Sequence, residues 1–325
     1  MLGGTGIASF VVAFVAMRVL LSRFGGFALD APNARSLHVH PVPRSGGIAV
    51  LLGAATALAF GALPLWLPMA LAGALALVSL ADDMRGLPGA VRLAAHLGAA
   101  GVLVWHLFSP MDLGAMLALV LAAAWITNLY NFMDGADGLA GGMALIGFGA
   151  YALAAALAGH VALATLCLAL AGAAAAFLLH NFHPARIFLG DVGSIPAGFL
   201  AAALGLVGWR DDVWPLWFPL LVFAPFVADA SVTLLKRLAR RERVWRAHRE
   251  HYYQRMVRMG LGHRGTALAG YALMMLCAAA ALLGRAESPA VQAAAFGIGV
   301  LLLAALAAWV DLRWRRHRRD GSDER

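Results

Sequence analysis

Two aspartates, Asp134 and Asp137, stand in NLYNFMDGADGLAGG directly after the apolar run AMLALVLAAAWIT. Asp82 and Asp83 adjoin one another at the end of a second apolar run, and Asp191 lies between glycines in FLGDVGS. Carboxylates clustered at one interface repel each other and are costly to desolvate unless a cation neutralises them. Hard oxygen ligands, with no Cys or His beside them, favour Mg²⁺ over zinc. Glycines follow each acid closely (Gly135, Gly138, Gly193), letting backbone approach a phosphate and turning the chain into a helix whose amino end favours an anion. The stretch RAHREHYYQR adds Arg246, His248, Arg249, His251 and Arg255, groups suited to gripping phosphate oxygens. The pattern points to metal-assisted chemistry on a phosphate. No G-x-x-x-x-G-K-[ST] loop is present, which argues against a P-loop ATPase.

The elements that position these groups are membrane helices. Of 325 residues, 62% are hydrophobic and 13% charged, and the mean hydropathy is +0.78. That balance excludes an ordinary soluble domain and predicts an all-α, polytopic integral membrane protein. Eleven apolar runs approach the roughly 20 residues needed to cross about 30 Å of hydrocarbon, ten if one of the short ones does not cross. They fall near 3–22, 47–61, 63–81, 90–108, 112–130, 138–158, 160–180, 193–208, 214–235, 265–283 and 290–310. The first run has no charged leader or small-residue cleavage site, so it is expected to be retained. Residues 1–312 are read as one transmembrane catalytic domain, with a polar loop at 236–264, and 313–325 as a basic tail. Cys167 and Cys277 lie within apolar runs and read as small core residues.

Charge sets the orientation. If the first span runs from outside to inside, alternate loops on the inner side and the tail carry 22 of the 25 Lys+Arg residues, while Arg210 and Arg285 fall outside and Arg18 inside the first span. This places the amino terminus outside and the carboxyl terminus in the cytoplasm. The net charge of +8 then belongs to the membrane surface rather than to nucleic acid. All the acid-rich turns and the His-rich loop face the same side, whereas Asp211 and Asp212 face the other and are set aside.

Taken singly, the pieces have plainer readings. Asp-Gly is common turn chemistry, Asp82-Asp83 suits an interfacial cap, and the basic run 236–249 suits an anchor to anionic lipid heads. His38, His40, His180 and His183 read as loop or interface residues, and Gly46-Gly47 as a close helix contact. A lipid transporter or flippase is the competing class, but it calls for ionisable groups near span centres, and apart from Arg18 these are almost bare.

Five blocks in order, DAPNARSLHVHPVPRSGG (30–47), ADDMRG (81–86), NLYNFMDGADGL (128–139), FLGDVGS (188–194) and HREHYYQR (248–255), resemble the polyprenyl-phosphate N-acetylhexosamine-1-phosphate transferases. Phospho-MurNAc-pentapeptide transferases are more distant relatives. They normally carry a lysine at or near the position of Gly86, and a tighter His cluster in the last block. That departure makes the chain most similar to the bacterial branch that initiates O-antigen.

The resemblance implies transfer of sugar 1-phosphate from a UDP-N-acetylhexosamine to undecaprenyl phosphate at the cytoplasmic face of the bacterial inner membrane. Mg²⁺ would be the cofactor, with Mn²⁺ tolerated, and a homodimer among membrane lipids the expected assembly. It implies Asp191 as the first metal ligand, with Asp83, and Asp82 and Asp83 beside metal and lipid phosphate as catalytic residues. Asn131, Asp134 and Asp137 would border the nucleotide, Asp137 at the uracil and Asp134 nearer the metal. Phe188 would stack on the base, and His248, Arg249, His251 and Arg44 would hold phosphates.

Overall fold

The computed structural model describes residues 2–26, 29–30, 37, 41–244 and 248–321. Nine of the described helical segments are long and apolar enough to span a membrane. They comprise α1 (Leu2–Arg23), α3 (Trp66–Arg85, with a lead-in from Leu63), α4 (Gly89–Phe108), α5 (Leu113–Phe132), α6 (Leu139–Leu157), α7 (Val161–Asn181), α8 (Asp191–Arg210), α12 (Gly262–Gly284) and α13 (Pro289–Arg319). The other two expected spans are helical but shorter or broken. α2 (Gly46–Ala55) gives way to a tight 3-10 turn over Thr56–Phe60, ended by Gly61 at φ 103°. α9 (Trp217–Val222) and α10 (Ala224–Ala239) divide at Phe223, just before Pro225, which has no N–H to continue the ladder. α11 (Tyr252–Met256) is a single turn in the polar loop. The basic tail is helical as far as Arg319.

α8 is the hub: 94% of its apolar window is buried, against 17% for α13 and 22% for α1. It packs against α3 and α5, with α2, α4 and α6 beyond. Small residues permit this closeness. A β-carbon on Gly198 would lie 2.7 Å from Tyr130 Cβ, and one on Gly172 of α7 would lie 2.4 Å from the Gly6 carbonyl of α1. Ser9 of α1 also donates to the Ala169 carbonyl of α7 at 2.6 Å. Cys167 and Cys277 are buried free thiols, as the apolar context requires.

Alternating helix directions bring the carboxyl ends of α3, α5 and α7 and the amino ends of α4, α6 and α8 to one end of the bundle. Asp211, by contrast, lies at the other end, bonded to Arg210 and to His160 at the start of α7. At the site end a two-residue ribbon pairs β1 (Leu29–Asp30) antiparallel with β2 (Val42–Pro43).

Candidate active site

The acids are placed by three local devices. Gly86, at φ 65°, closes α3 and donates to the Asp82 carbonyl at 2.7 Å, so the Asp82-Asp83 pair is held in the last turn of that helix. Gly190, at φ 70°, precedes α8, and Asp191 is the first residue of the helix. A β-carbon on Gly190 would stand 2.2 Å from the Arg44 carbonyl. The segment before it is pinned strand-like to β2 and α2: Phe188 N–H donates to Pro43 at 2.7 Å, Gly46 N–H to Phe188 at 3.0 Å and Gly47 N–H to Leu189 at 2.9 Å. Arg44, Phe188 and Asp191 therefore share one wall.

These walls enclose a polar cavity of about 690 Å³. Arg44, Asp82, Asp83, Asn131, Asp134, Asp137, Phe188, Asp191, His248 and His251, all singled out from the sequence, line it. The two neighbouring aspartates of α3 are not equivalent. Asp82 is engaged on both oxygens, by Leu87 N–H at 2.7 Å and by Arg92 Nη1 at 2.9 Å, which locks the turn from α3 to α4. Asp83 has Arg44 Nη2 at 3.2 Å, and the buried Nε of Arg44 has no hydrogen-bond partner among the described residues. Asn131 accepts the Ser194 hydroxyl at 2.7 Å, joining the end of α5 to the first turn of α8.

Burial, together with the nearby Asp191 carboxylate, holds the Asp134 carboxyl well above the usual range. Asp137 behaves oppositely. Burial pushes its carboxyl up, but the imidazoles of His263 and His183 and the Ala185 N–H outweigh that and bring it below the usual value. Its Oδ2 accepts from His183 Nδ1 at 2.7 Å and from Ala185 N–H at 3.2 Å. Histidine therefore does stand beside one of the acids, and the expectation of none is corrected. The chain brings His183 and His263 to Asp137 across 46 and 126 positions, which no local motif reveals. The three offer ligand atoms within 4.8 Å of one another, although His263 Nδ1 already accepts the Asp137 N–H at 3.1 Å and its Nε2 bonds to the Leu37 carbonyl at 3.2 Å.

The His-rich loop contributes less positive charge than its sequence offers. Arg249 does not line the cavity, and Arg255 is buried away from it, on Asp311 of α13 at 2.8 Å and the Glu250 carbonyl at 2.7 Å. Arg246, His38 and His40 lie outside the described residues. Arg237 and Arg240 pair with Glu242 and Glu250, so part of the basic run is neutralised internally rather than free for lipid heads. Burial, reinforced by His251 and Arg237, takes His248 down to about 4, leaving it neutral at pH 7. Arg92, Gln254, Asn181 and His263 line the cavity unforeseen. For Arg92 a signal existed: it lies ten positions after Asp82, across a turn closed by glycine.

A second, nearly apolar cavity of about 340 Å³, formed by α10, α12 and α13, is lined also by Met133, Tyr252 and Tyr253, chain neighbours of Phe132, Asp134, His251 and Gln254 of the polar cavity.

Residues 65–209 match the model of glycosyl transferase family 4. The chain is 31% identical over 264 residues to a probable undecaprenyl-phosphate N-acetylglucosaminyl 1-phosphate transferase of Bacillus subtilis, covering 75% of this chain and 74% of that protein. It is 33% identical over 322 residues to a decaprenyl-phosphate N-acetylglucosaminephosphotransferase of Mycolicibacterium smegmatis, covering 82% and 78%. A phospho-N-acetylmuramoyl-pentapeptide-transferase of Symbiobacterium thermophilum matches at 38% over 158 residues, 40% of this chain and 47% of that one. With cavity, blocks and relatives in agreement, the chain belongs to the polyprenyl-phosphate N-acetylhexosamine-1-phosphate transferases of glycosyl transferase family 4.

Proposed function

We propose that the protein transfers N-acetylhexosamine 1-phosphate from a UDP-sugar to undecaprenyl phosphate, releasing UMP and initiating O-antigen or another surface polysaccharide. The observation that carries this reading is the meeting of Asp83, Asp134 and Asp191 with Arg44 in one polar cavity. The adjoining apolar cavity suits isoprenoid carbon. The site end is assigned to the cytoplasm of a bacterial inner membrane, with a periplasmic amino terminus and a cytoplasmic carboxyl terminus, on the strength of the basic residues gathered there. Residues 1–312 act as one catalytic domain, and a homodimer is the assembly proposed.

The reaction exchanges one phosphoanhydride for another. An oxygen of the lipid phosphate attacks the phosphorus next to the sugar, the bond from that phosphorus to the bridging oxygen breaks, and UMP leaves with the electron pair. A phosphate monoester with second pKa of about 6 is already mostly dianionic at neutral pH. The nucleophile therefore needs positioning and screening more than deprotonation, and no aspartate has to act as a base. Arg44 would hold phosphate beside Asp83, while neutral His248 and the His251 ring offer hydrogen bonds. Asn131, Asp137 and Phe188 would seat the nucleotide.

A hard divalent cation is assigned to oxygens of Asp191 and Asp83, with Asp134 alongside: all three line the one polar cavity, where burial, and after it the Asp191 charge, raises the Asp134 carboxyl. Mg²⁺, with Mn²⁺ as a tolerated substitute, would supply neutralisation of the charge growing on the departing UMP.

The test is UMP release by detergent-purified protein given undecaprenyl phosphate and a panel of UDP-N-acetylhexosamines, with Mg²⁺ or EDTA. Lipid- and Mg²⁺-dependent release with one donor is expected. Folded protein that releases UMP from none of them would overturn the reading.

A further inference from the structure

His251 does not stand alone in the polar cavity. Asp229, a buried carboxylate on α10, places Oδ1 3.3 Å from His251 Nδ1, and both side chains are less than a tenth exposed. The same carboxylate accepts the N–H of Tyr252 at 2.8 Å on Oδ1 and the N–H of Tyr253 at 2.9 Å on Oδ2, so it closes the amino end of α11. Gln254 caps the other way, its Oε1 accepting the His251 N–H at 3.2 Å. Tyr253 then fastens α11 to the end of α5, its hydroxyl donating to the Phe132 carbonyl at 3.1 Å.

A lone pair on buried Nδ1 facing a carboxylate oxygen is repulsive, whereas an Nδ1–H there is attractive. His251 Nδ1 is buried with no hydrogen-bond partner among the described residues, and the Asp229 oxygen at 3.3 Å is the charged group that faces it. Asp229 therefore selects the ring state with a proton on Nδ1 and turns the Nε2 edge away from itself, toward the cavity that His251 lines. Asp229 itself lines the apolar cavity. The carboxylate and imidazole form the partition between the two spaces, at the point where the phosphate of an amphiphilic acceptor would pass from one to the other.

We infer that Asp229 is a positioning residue for transfer: it fixes the tautomer and direction of His251 from the lipid side of the partition, so that His251 Nε2 meets the acceptor phosphate. The inference rests on the transferase reading proposed above for its kinetic arm, and on geometry alone for its spectroscopic arm.

The spectroscopic arm uses the full chain with ¹⁵N-labelled imidazoles in detergent, the His251 signals being identified from their loss in H251Q. Wild type and D229E are expected to show a proton on Nδ1, and D229N to lose that preference. An unchanged His251 spectrum in D229N overturns the inference. In the kinetic arm, D229N is expected to lower kcat by roughly 10–100-fold, the usual effect of removing a carboxylate behind a working histidine. D229E should recover most of the loss. In an H251A background the further change on adding D229N should be less than about two-fold, because the carboxylate acts through the ring. Equal losses from D229N with and without His251 would mark Asp229 as a helix cap only, and overturn the inference. The tautomer shift in protein that turns over no donor would instead overturn the transferase reading while upholding the pair.

Discussion

Gly47 of α2 and Gly193 of α8 touch backbone to backbone: a β-carbon on Gly47 would lie 2.3 Å from Gly193 N and Cα. The contact sits two residues into α8, so it sets where the helix begins and with it where Asp191 stands. Gly47 faces only backbone atoms, and a β-carbon on Gly193 would meet the Gly47 Cα at 2.5 Å and the Leu189 side chain at 2.6 Å. G47A and G193A are each expected to cost about 1–3 kcal/mol by overpacking. The shift of Asp191 should lower transferase activity further than the stability loss explains. The check is detergent melting temperature alongside UMP release; G47A with wild-type values of both would show that the contact can relax.

Asp82 and Asp83 are neighbours with different engagements, and their variants should differ in kind. Asp82 is saturated by Arg92 and the Leu87 N–H, a turn-locking role. Losing a hydrogen bond to a charged group costs at most about 1.5–3 kcal/mol, and less where the partner Arg92 is 42% exposed, so D82N is expected to lower the melting temperature modestly. D83N and D191N should instead leave the melting temperature near wild type and cut kcat by roughly 100-fold or more, with a weaker response to added Mg²⁺. Kinetics and melting curves on the same preparations separate the two behaviours. A D191N enzyme with normal Mg²⁺-dependent turnover would remove Asp191 from the metal site.

Asp134 gives the pH dependence. Its folded form holds the proton above the ordinary value of 3.8, because of burial and the Asp191 charge. An acid of that kind binds its proton more tightly folded than unfolded. Its contribution to stability is therefore greatest at low pH and declines as pH rises from about 4 toward the raised value. A divalent cation binds the ionised form and reverses the penalty. In EDTA the melting temperature should fall with rising pH, and added Mg²⁺ should raise it more at pH 8 than at pH 5. D134N should flatten the first trend and reduce the second.

Much of this was legible in the chain because the relevant patterns are local. The apolar runs gave helix positions, the basic loops gave the side on which Asp82, Asp83, Asp134, Asp137 and Asp191 converge, and glycines marked their turns. The two runs that are not single full-length helices depart for reasons that hydropathy does not register: the 3-10 turn after Ala55 and the break at Phe223 before Pro225 are backbone events. Asp191 opens α8 two residues before the expected start, since glycine at φ 70° admits the turn one residue ahead of it. What stayed hidden was long-range. Arg255 looked available for phosphate but is claimed by Asp311, 56 positions away, and His263 gave no sign that it would reach Asp137 across 126.

That last contact bears on nucleotide recognition. Asp137 Oδ2 is occupied by His183 and the Ala185 N–H, and the His263 ring holds the backbone of the same residue, so the carboxylate cannot swing. Kept ionised by these partners, Asp137 can accept a hydrogen bond from an imide N–H such as that of uracil, and rejects a base that offers a lone pair there instead. If this is how the nucleotide is seated, removing the supports should weaken binding without slowing chemistry. H263A and H183A are expected to raise KM for the UDP-sugar by about ten-fold with kcat changed little, and to weaken inhibition by UMP in parallel. D137N, which presents an amide in place of a pure acceptor, should do the same and narrow the preference for UMP over CMP. Loss of kcat at unchanged KM in H263A would place His263 with the phosphates rather than the base, and would move the nucleobase to another wall of the cavity.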